Sequence, residues 1–217
     1  MKIREYQFDQ IEEARQIQRE CLRLHMPCPP VLHWRYEIKE PNGNVVEIGH
    51  GKANSYTRNT LNILGSNLGL PEDSIFDSSH FSDGYISIKN TSGTVVTSST
   101  IMSTHREYVA LYVGTGTATE SLDSYSFVSP VSMGSTIKVS TWDSVSRKLI
   151  TSINNTYQNS SGSAVDIKES GITDRCYSGP STYSTYLLIY DTFDAISVAN
   201  GQTLSWTYST EVAYPNP

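Results

Sequence analysis

The sequence predicts a mostly β fold: an antiparallel, jelly-roll-like β-sandwich preceded by an N-terminal α-helix, a β-hairpin and a second short helix. Three observations lead to this prediction. About a third of the residues from Ser55 onward are Ser or Thr, which together with 14 Tyr favour strands and turns. Short alternating runs separated by glycine-containing turns continue from Gly84 to the C-terminus. No Ser or Thr precedes Ser55, and a clear helical period lies in that first part.

The overall composition excludes several classes of protein. The chain has 217 residues, a net charge of −6 and only 18% charged residues, which excludes both a disordered polyelectrolyte and a basic nucleic-acid binder. The longest apolar run, Tyr186–Tyr190, is too short to cross a membrane, and we expect no export signal, because no apolar segment follows the basic residues Lys2 and Arg4. Three cysteines cannot all pair within the chain. We therefore expect no nucleic-acid or membrane partner, and synthesis in a cytoplasm with reduced thiols.

We expect three segments: an N-terminal helical arm (1–30), a joining segment with the hairpin and short helix (31–83), and the β-sandwich (84–217). The first helix is predicted from about Phe8 to His25, before Pro27. Its apolar positions recur at three- and four-residue steps: Ile11, Ala14, Ile17, Cys21 and Leu24. This stripe is too narrow to form a core, so we expect the helix to lie against the sandwich or another chain.

Local patterns place the remaining elements. Leu32–Ile38 alternates between apolar and polar residues, and the turn sequence Pro41–Asn44 joins it to Val45–Ile48 as a hairpin. A second helix fits Tyr56–Leu68. The turn sequence Ala199–Gln202 predicts that the last two strands pair. The eight sandwich strands are predicted at Tyr85–Lys89, Thr94–Ser98, Glu107–Val113, Thr136–Trp142, Lys148–Ile153, Ala164–Lys168, Thr185–Asp191 and Thr203–Tyr208.

One cluster near the N-terminus has residue types that bind metals. Cys21, His25, Cys28 and His33 are spaced C-x3-H-x2-C-x4-H, which leaves two interpretations open: a zinc site, or thiols buried in helix packing. Structural zinc sites mostly use closer cysteine pairs, and Cys21 lies on the apolar stripe. We predict no metal and no other cofactor.

No catalytic motif is present in the sequence. The stretch that contains Asp73, Asp77, His80 and Asp83 matches no calcium loop, and such residues commonly form turns and caps. A hydrolase would need a pocket in which His80 or His105 meets a serine or a carboxylate. We predict that the protein is not an enzyme.

Aromatic side chains on a sandwich can also stack on sugars. The candidates for such a site are Trp142, Tyr183, Tyr186 and Trp206. At alternating spacing these residues also fit a sheet face or the core. A carbohydrate-binding module on a fibre or a receptor-binding apparatus is therefore the alternative function.

One stretch of the sequence is a more specific indication of function than the motifs above. Val113–Thr117 is followed by Ser129-Pro130-Val131 and Gly134, and then by Glu169, Gly171 and Ile172 before the last strands. This order resembles a pattern of structural proteins in the virions of tailed bacteriophages, and the likeness spans Glu107 to Ser209. The resemblance implies a non-enzymatic virion component at the neck, the tail or baseplate, or the capsid surface.

The resemblance also implies the partners: other virion proteins (portal, neck, tail or capsid) and further copies of the chain in a ring or symmetric array. We expect the helical arm to contribute a contact surface. Its apolar side chains would contact a neighbour, and its arginines would pair with acidic groups at the rim. The assembly-interface candidates are Ile11, Arg15, Ile17, Arg19, Cys21 and Leu24.

Overall fold

The computed structural model describes residues 1–6, 8–24, 30–53, 86–98, 109–117, 124–179 and 182–214. Within these ranges the chain is mostly β, as predicted, with one helix, α1 (Phe8–Arg23), and eleven strands. The predicted second helix, Tyr56–Leu68, lies outside the described residues. The strands are β1 Lys2–Tyr6, β2 Val31–Lys39, β3 Val45–Lys52, β4 Ile86–Lys89, β5 Val95–Ser98, β6 Ala110–Gly114, β7 Ile137–Asp143, β8 Lys148–Gln158, β9 Val165–Gly179, β10 Thr182–Val198 and β11 Thr203–Ala213.

The N-terminal helix and the following hairpin confirm the local predictions. The hairpin turn is closed by Asn42, whose side-chain oxygen accepts a hydrogen bond from the backbone N–H of Asn44 (3.0 Å). Strand β1 was not predicted, because five residues that include Lys2, Arg4 and Glu5 carry little strand signal by themselves.

The strands form a six-stranded sheet in the order β1-β3-β2-β11-β8-β7, a three-stranded sheet in the order β10-β9-β6, and the hairpin β4-β5. The expectation of purely antiparallel sheets is wrong at one edge, where β1 runs parallel to β3. Parallel neighbours need a long crossover connection, and α1 together with β2 supplies it.

Strand β11 lies inside the six-stranded sheet and pairs with β2 on one side and β8 on the other. The predicted pairing of the last two strands is therefore wrong. The turn forms as expected, with the Gln202 N–H donating to the Ala199 carbonyl (3.1 Å), but it joins strands of different sheets. Both edges of β11 are occupied from Thr203 onward, opposite Lys39 and Gln158, so no edge remains for β10.

The chain forms two compact units, and neither is continuous in sequence. Unit 1 contains 1–54, 132–166 and 197–217, and unit 2 contains 55–131 and 167–196. Unit 1 thus takes in the described part of the predicted arm, the hairpin, and strands from the predicted sandwich. In unit 2 the buried apolar side chains include Leu111, Val113, Ile167, Tyr186 and Leu187.

The six-stranded sheet has two chemically different faces. One face carries four buried aromatic rings, those of Trp34, Tyr36, Trp206 and Tyr208. The rings are stacked, with centroids 4.9 Å apart for Trp34 and Trp206 and 5.5 Å apart for Tyr36 and Trp206. Since side chains alternate along a strand, the neighbouring positions of β2 and β11 point to the opposite face, where they are mostly polar.

The Trp34 ring lies over β3, where Gly51 provides the space for it. A Cβ at Gly51 would lie 2.5 Å from Cζ2 of that ring, which cannot move aside between Tyr6 and Trp206. We expect Gly51→Ala to lower the free energy of unfolding by about 2 kcal/mol, the usual cost of overpacking. Urea unfolding measures this, with Gly134→Ala as the control, because the nearest atom to a Cβ there is the rotatable Thr156 hydroxyl at 3.3 Å and the next ones lie at an ordinary contact distance of 3.6 Å. Equal stability of the two variants would contradict the packing argument.

Candidate functional site

Helix α1 docks on the polar face of the six-stranded sheet through positions 11, 15, 18 and 22. Ile11 and Gln18 are buried there, and the Gln18 side-chain amide donates to the backbone carbonyl of Glu211 in β11 (3.0 Å). The apolar stripe predicted from the sequence is centred about a quarter of a turn away from this face. As a result Ile17 and Leu24 remain 48% and 52% exposed, while Cys21 is half-buried.

A cluster of charges under the helix fixes this orientation. The Glu211 side chain is only 7% exposed and accepts a hydrogen bond from Arg15 Nη2 (2.6 Å) on one oxygen and from Lys148 Nζ (2.9 Å) on the other. His33 Nδ1 lies 3.7 Å from the first of these oxygens. We call Arg15, Glu211 and Lys148 the Glu211 clamp. It joins the helix to β11 and β8.

The surroundings shift the protonation of the clamp and of the histidine beside it. Burial alone would raise the pKa of Glu211, but the hydrogen bonds from Arg15 and Lys148 outweigh it and hold that pKa below its ordinary value. Burial lowers the pKa of His33 more than the Glu211 charge raises it. At neutral pH the clamp therefore contains an ionised carboxylate beside a neutral imidazole.

Both shifts make the folded protein less stable in acid. Below the ordinary His33 pKa of 6.5 the unfolded chain binds a proton at this residue that the folded chain does not, so stability falls with pH. Below the ordinary Glu211 pKa of 4.5 the same effect at Glu211 lowers stability further. We expect His33→Asn to remove the first loss, whose slope is at most about 1.4 kcal/mol per pH unit. Urea unfolding of both proteins between these pH values measures it. Parallel curves would contradict the assignment to His33.

A groove of about 630 Å³ lies beside the helix on the same face. Most of the residues that line it have polar side chains, namely Arg15, His33, Arg35, Glu37, His50, Asn154, Ser205, Thr207 and Ser209, and the others are Ile11, Tyr36 and Ile48. The Asn154 amide donates to Ser205 and Thr207 oxygens at 3.0 and 2.8 Å, so internal hydrogen bonds hold part of the lining. The groove can offer hydrogen bonds to a polar ligand.

His33, Ser209 and Glu211 include the residue types of a hydrolytic triad. The distance of 3.7 Å between His33 and Glu211 exceeds that of a hydrogen bond. The Ser209 hydroxyl pairs with the hydroxyl of Ser152 (2.9 Å). Neither contact is a hydrogen bond between a serine hydroxyl and the imidazole, which such a triad requires.

Unit 2 contains a second buried carboxylate, Glu169 in β9. Its Oε1 accepts hydrogen bonds from the backbone N–H groups of Gly116 (3.1 Å) and Ser129 (2.8 Å). Its Oε2 accepts from the Val128 N–H (3.1 Å) and the Tyr190 hydroxyl (2.8 Å). We call this arrangement the Glu169 knot. It brings together the glycine, serine and glutamate positions on which the resemblance to virion proteins depends.

An exposed apolar edge forms the third feature. Strand β7 is the last strand of the six-stranded sheet, and Ile137 and Val139 on it are 59% and 53% exposed. Trp142 is half-exposed and makes an edge contact with Tyr214 (5.6 Å between centroids). Exposed apolar residues along an open strand edge are typical of interaction surfaces.

The structure separates the predicted assembly residues into two groups. Ile11 and Arg15 are used within the chain, whereas Ile17, Leu24 and Arg19 are exposed on α1. The interpretation of the apolar stripe as one continuous assembly surface is therefore wrong for Ile11. This residue lies on the face of α1 that docks on the sheet, and that face is rotated away from Ile17 and Leu24.

The sugar candidates are not brought together as exposed rings. Tyr186 and Trp206 are fully buried and offer no ring face to a ligand, and Trp142 is half-exposed. The side chain of Tyr183 lies outside the described residues.

The metal candidates are only partly described. Cys21 and His33 lie in the described ranges, while His25 and Cys28 lie outside them, as do Asp73, Asp77, His80, Asp83 and His105. Within the described ranges, no three His, Cys, Asp or Glu side chains are grouped so that they could hold a metal ion. The helix described there is too short and too polar to cross a bilayer.

Comparison of the chain with protein-family models, with curated proteins and with solved structures finds no match in any of the three. The membership of a phage virion family thus stays a prediction from the residues quoted above.

Sequence reasoning missed the buried carboxylates of Glu169 and Glu211 and the buried side chain of Gln18. Glu211 had a usable signal, because the alternation that buries Trp206 and Tyr208 places Glu211 on the opposite face. Its partners Arg15 and Lys148 could not be found in this way, since they lie 196 and 63 residues away along the chain.

Proposed function

We propose that this protein is a non-enzymatic structural component of a tailed-phage virion, at the neck, the tail or baseplate, or the capsid surface. It acts through protein contacts, and its fold is the jelly-roll-like sandwich expected from the sequence. The observation that carries the proposal is the docked helix: α1 is held against its own sheet while Ile17 and Leu24 stay about half exposed.

The rigidity of α1 supports a role in assembly. The Glu211 clamp and the Gln18 contact hold the helix on the sheet, so its outer surface is fixed rather than mobile. We call this surface, with Ile17, Arg19 and Leu24, the α1 ridge. A preorganised apolar ridge loses little conformational entropy when a partner binds. We expect the partner to be a neighbouring virion protein with an apolar groove, whose acidic rim would face the exposed Arg19.

The Glu169 knot supports the resemblance by giving its pattern a structural cause. Gly116 must lack a side chain, because a Cβ there would lie 2.6 Å from Glu169 Oε1. The pattern therefore describes how two loops are held on β9 and does not describe a catalytic site. Tyr186 and Trp206, by being buried, support the assembly role over the carbohydrate alternative.

The test compares purified particles that carry wild-type protein with particles that carry Ile17→Glu together with Leu24→Glu. We expect quantitative mass spectrometry to show at least about tenfold fewer copies of the variant per particle, since buried charge abolishes an apolar contact. Gln10→Glu together with Gln16→Glu is the matched control, because it adds the same two charges at exposed positions of α1.

Deletion of residues 1–30 is a poorer test, because it also removes Ile11 and Arg15 from the folded unit. The absence of the chain from purified particles would overturn the proposal. Incorporation of a folded double variant at wild-type copy number would overturn the role of the ridge.

A further inference from the structure

The two open edges of the six-stranded sheet differ in chemistry. Strand β1 has five residues, of which Lys2, Arg4 and Glu5 are charged, and charged, short edge strands resist pairing with other chains. Strand β7 has seven residues, and the four between Lys138 and Asp143 form the uncharged run Val139–Trp142. Its side chains from Ile137 to Trp142 are exposed. Of the two edges of this sheet that the described residues form, β7 is thus the longer and the less charged.

We propose that β7 pairs antiparallel with β7 of a second copy of this chain, which joins two six-stranded sheets across a twofold axis. The inference goes beyond the proposed function, because it concerns a different surface from the α1 ridge and holds in solution without any particle. A twofold axis perpendicular to the sheet keeps each residue on its own face, so the same edge serves both partners.

The register follows from the strand itself. All seven residues are paired only when Ser140 lies opposite Ser140 of the second copy. This alignment supplies about six to eight main-chain hydrogen bonds, because each hydrogen-bonded pair exchanges two. It also places Val139 opposite Thr141 of the other copy.

Charges are compatible with this register. Lys138 lies opposite Trp142 of the second copy, twice by symmetry, where an ammonium group and an indole ring attract each other. No two like charges are opposite one another. A shift of the alignment by one pair toward Val139 shortens the overlap and brings the two Lys138 residues to diagonal positions, which is less favourable.

The second copy is favoured over an unrelated strand because the match is reciprocal. Each Lys138 and Trp142 finds its counterpart in the other copy, and the half-exposed Trp142 already rests on Tyr214 in a fixed position. Extension of a sheet at its edge also keeps the existing pairing of β7 with β8, from Ile137 opposite Asn154 to Asp143 opposite Lys148.

Sedimentation velocity of the full chain tests the pairing. We expect a concentration-dependent dimer, and we expect Ser140→Glu and Ser140→Lys each to weaken it at least about tenfold, because each places two like charges face to face. An equimolar mixture of the two variants should restore dimers to near the wild-type level. The control is Ile3→Glu on the β1 edge, which should leave the dimer unchanged.

Ser140→Cys provides a readout that does not depend on added charge. Mild oxidation should link two copies through this residue faster than through Ser144→Cys, which is exposed just beyond the strand. A wild-type monomer at all concentrations, a dimer unaffected by both charge variants, or a dimer lost in Ile3→Glu would each overturn the inference. If the incorporation test showed that the α1 ridge has no role in assembly, the dimer formed through β7 in solution would be unaffected.

Discussion

Replacement of Glu169 by Gln should lower the free energy of unfolding by about 3 kcal/mol or more, since buried hydrogen bonds to a charged group are lost and donors are left unpaired. The carboxylate accepts four hydrogen bonds at 2.8 to 3.1 Å and is fully buried. In the glutamine variant, the NH2 group replaces one carboxylate oxygen and faces the two donors that this oxygen accepted from. Those two donors then have no acceptor. This is one of the two largest effects that we expect of any single substitution.

Urea unfolding followed by circular dichroism measures the loss at Glu169. The matched control is Asp166→Asn on the same strand, which makes the same chemical change at an exposed position and should shift stability by less than about 0.5 kcal/mol. If both variants unfold at the same urea concentration, the Glu169 knot does not hold the two loops in the way that its hydrogen bonds indicate.

We expect Glu211→Gln to cost about 3 kcal/mol, because it removes the charge on which two partly buried cations converge, and only Arg15 keeps another carboxylate, that of Glu12 at 2.9 Å. Arg15 and Lys148 each lose an ion pair at 2.6 and 2.9 Å. Since Arg15 belongs to α1, the helix should loosen before the sheet does. Hydrogen exchange should therefore show faster exchange of the α1 amides than of the β11 amides in this variant.

Glu20→Gln is the control for the clamp. Glu20 pairs with Arg23 at 2.8 Å on the exposed side of the same helix, and such surface pairs contribute about 0 to 1 kcal/mol. An equally large loss of stability in Glu20→Gln, or unchanged α1 exchange in Glu211→Gln, would show that the Glu211 clamp does not hold the helix. In that case the fixed orientation of Ile17 and Leu24 would need another cause.

The helix shows how far sequence reasoning reached. Its position was predicted because apolar residues recur with the helical period and prolines follow. The face that docks was not predicted, because Arg15 and Gln18 are polar and look solvent-exposed in the sequence. Gln18 is buried and Arg15 partly buried because Glu211 supplies a carbonyl and a carboxylate at the same place.

For the last two strands, the local turn was predicted correctly and the strand pairing inferred from it was wrong. The turn at Ala199–Gln202 formed as predicted, since turn residues act locally. The inference from that turn to a hairpin was wrong, because β11 found its partners at Lys39 and Gln158, far along the chain. Of the residues predicted for the assembly surface, Ile17 and Leu24 are exposed, which agrees with a surface role, whereas Ile11 is buried.

The sequence by itself determined where the described helix, most of the strands and their turns lie, because periodicity and turn chemistry involve neighbouring residues. Only the tertiary structure decided the strand order, the docked face of α1, and the partners of Glu169 and Glu211. The physical reason is that a buried carboxylate is stable only where donors converge on it, and those donors come from segments that meet only in the folded chain.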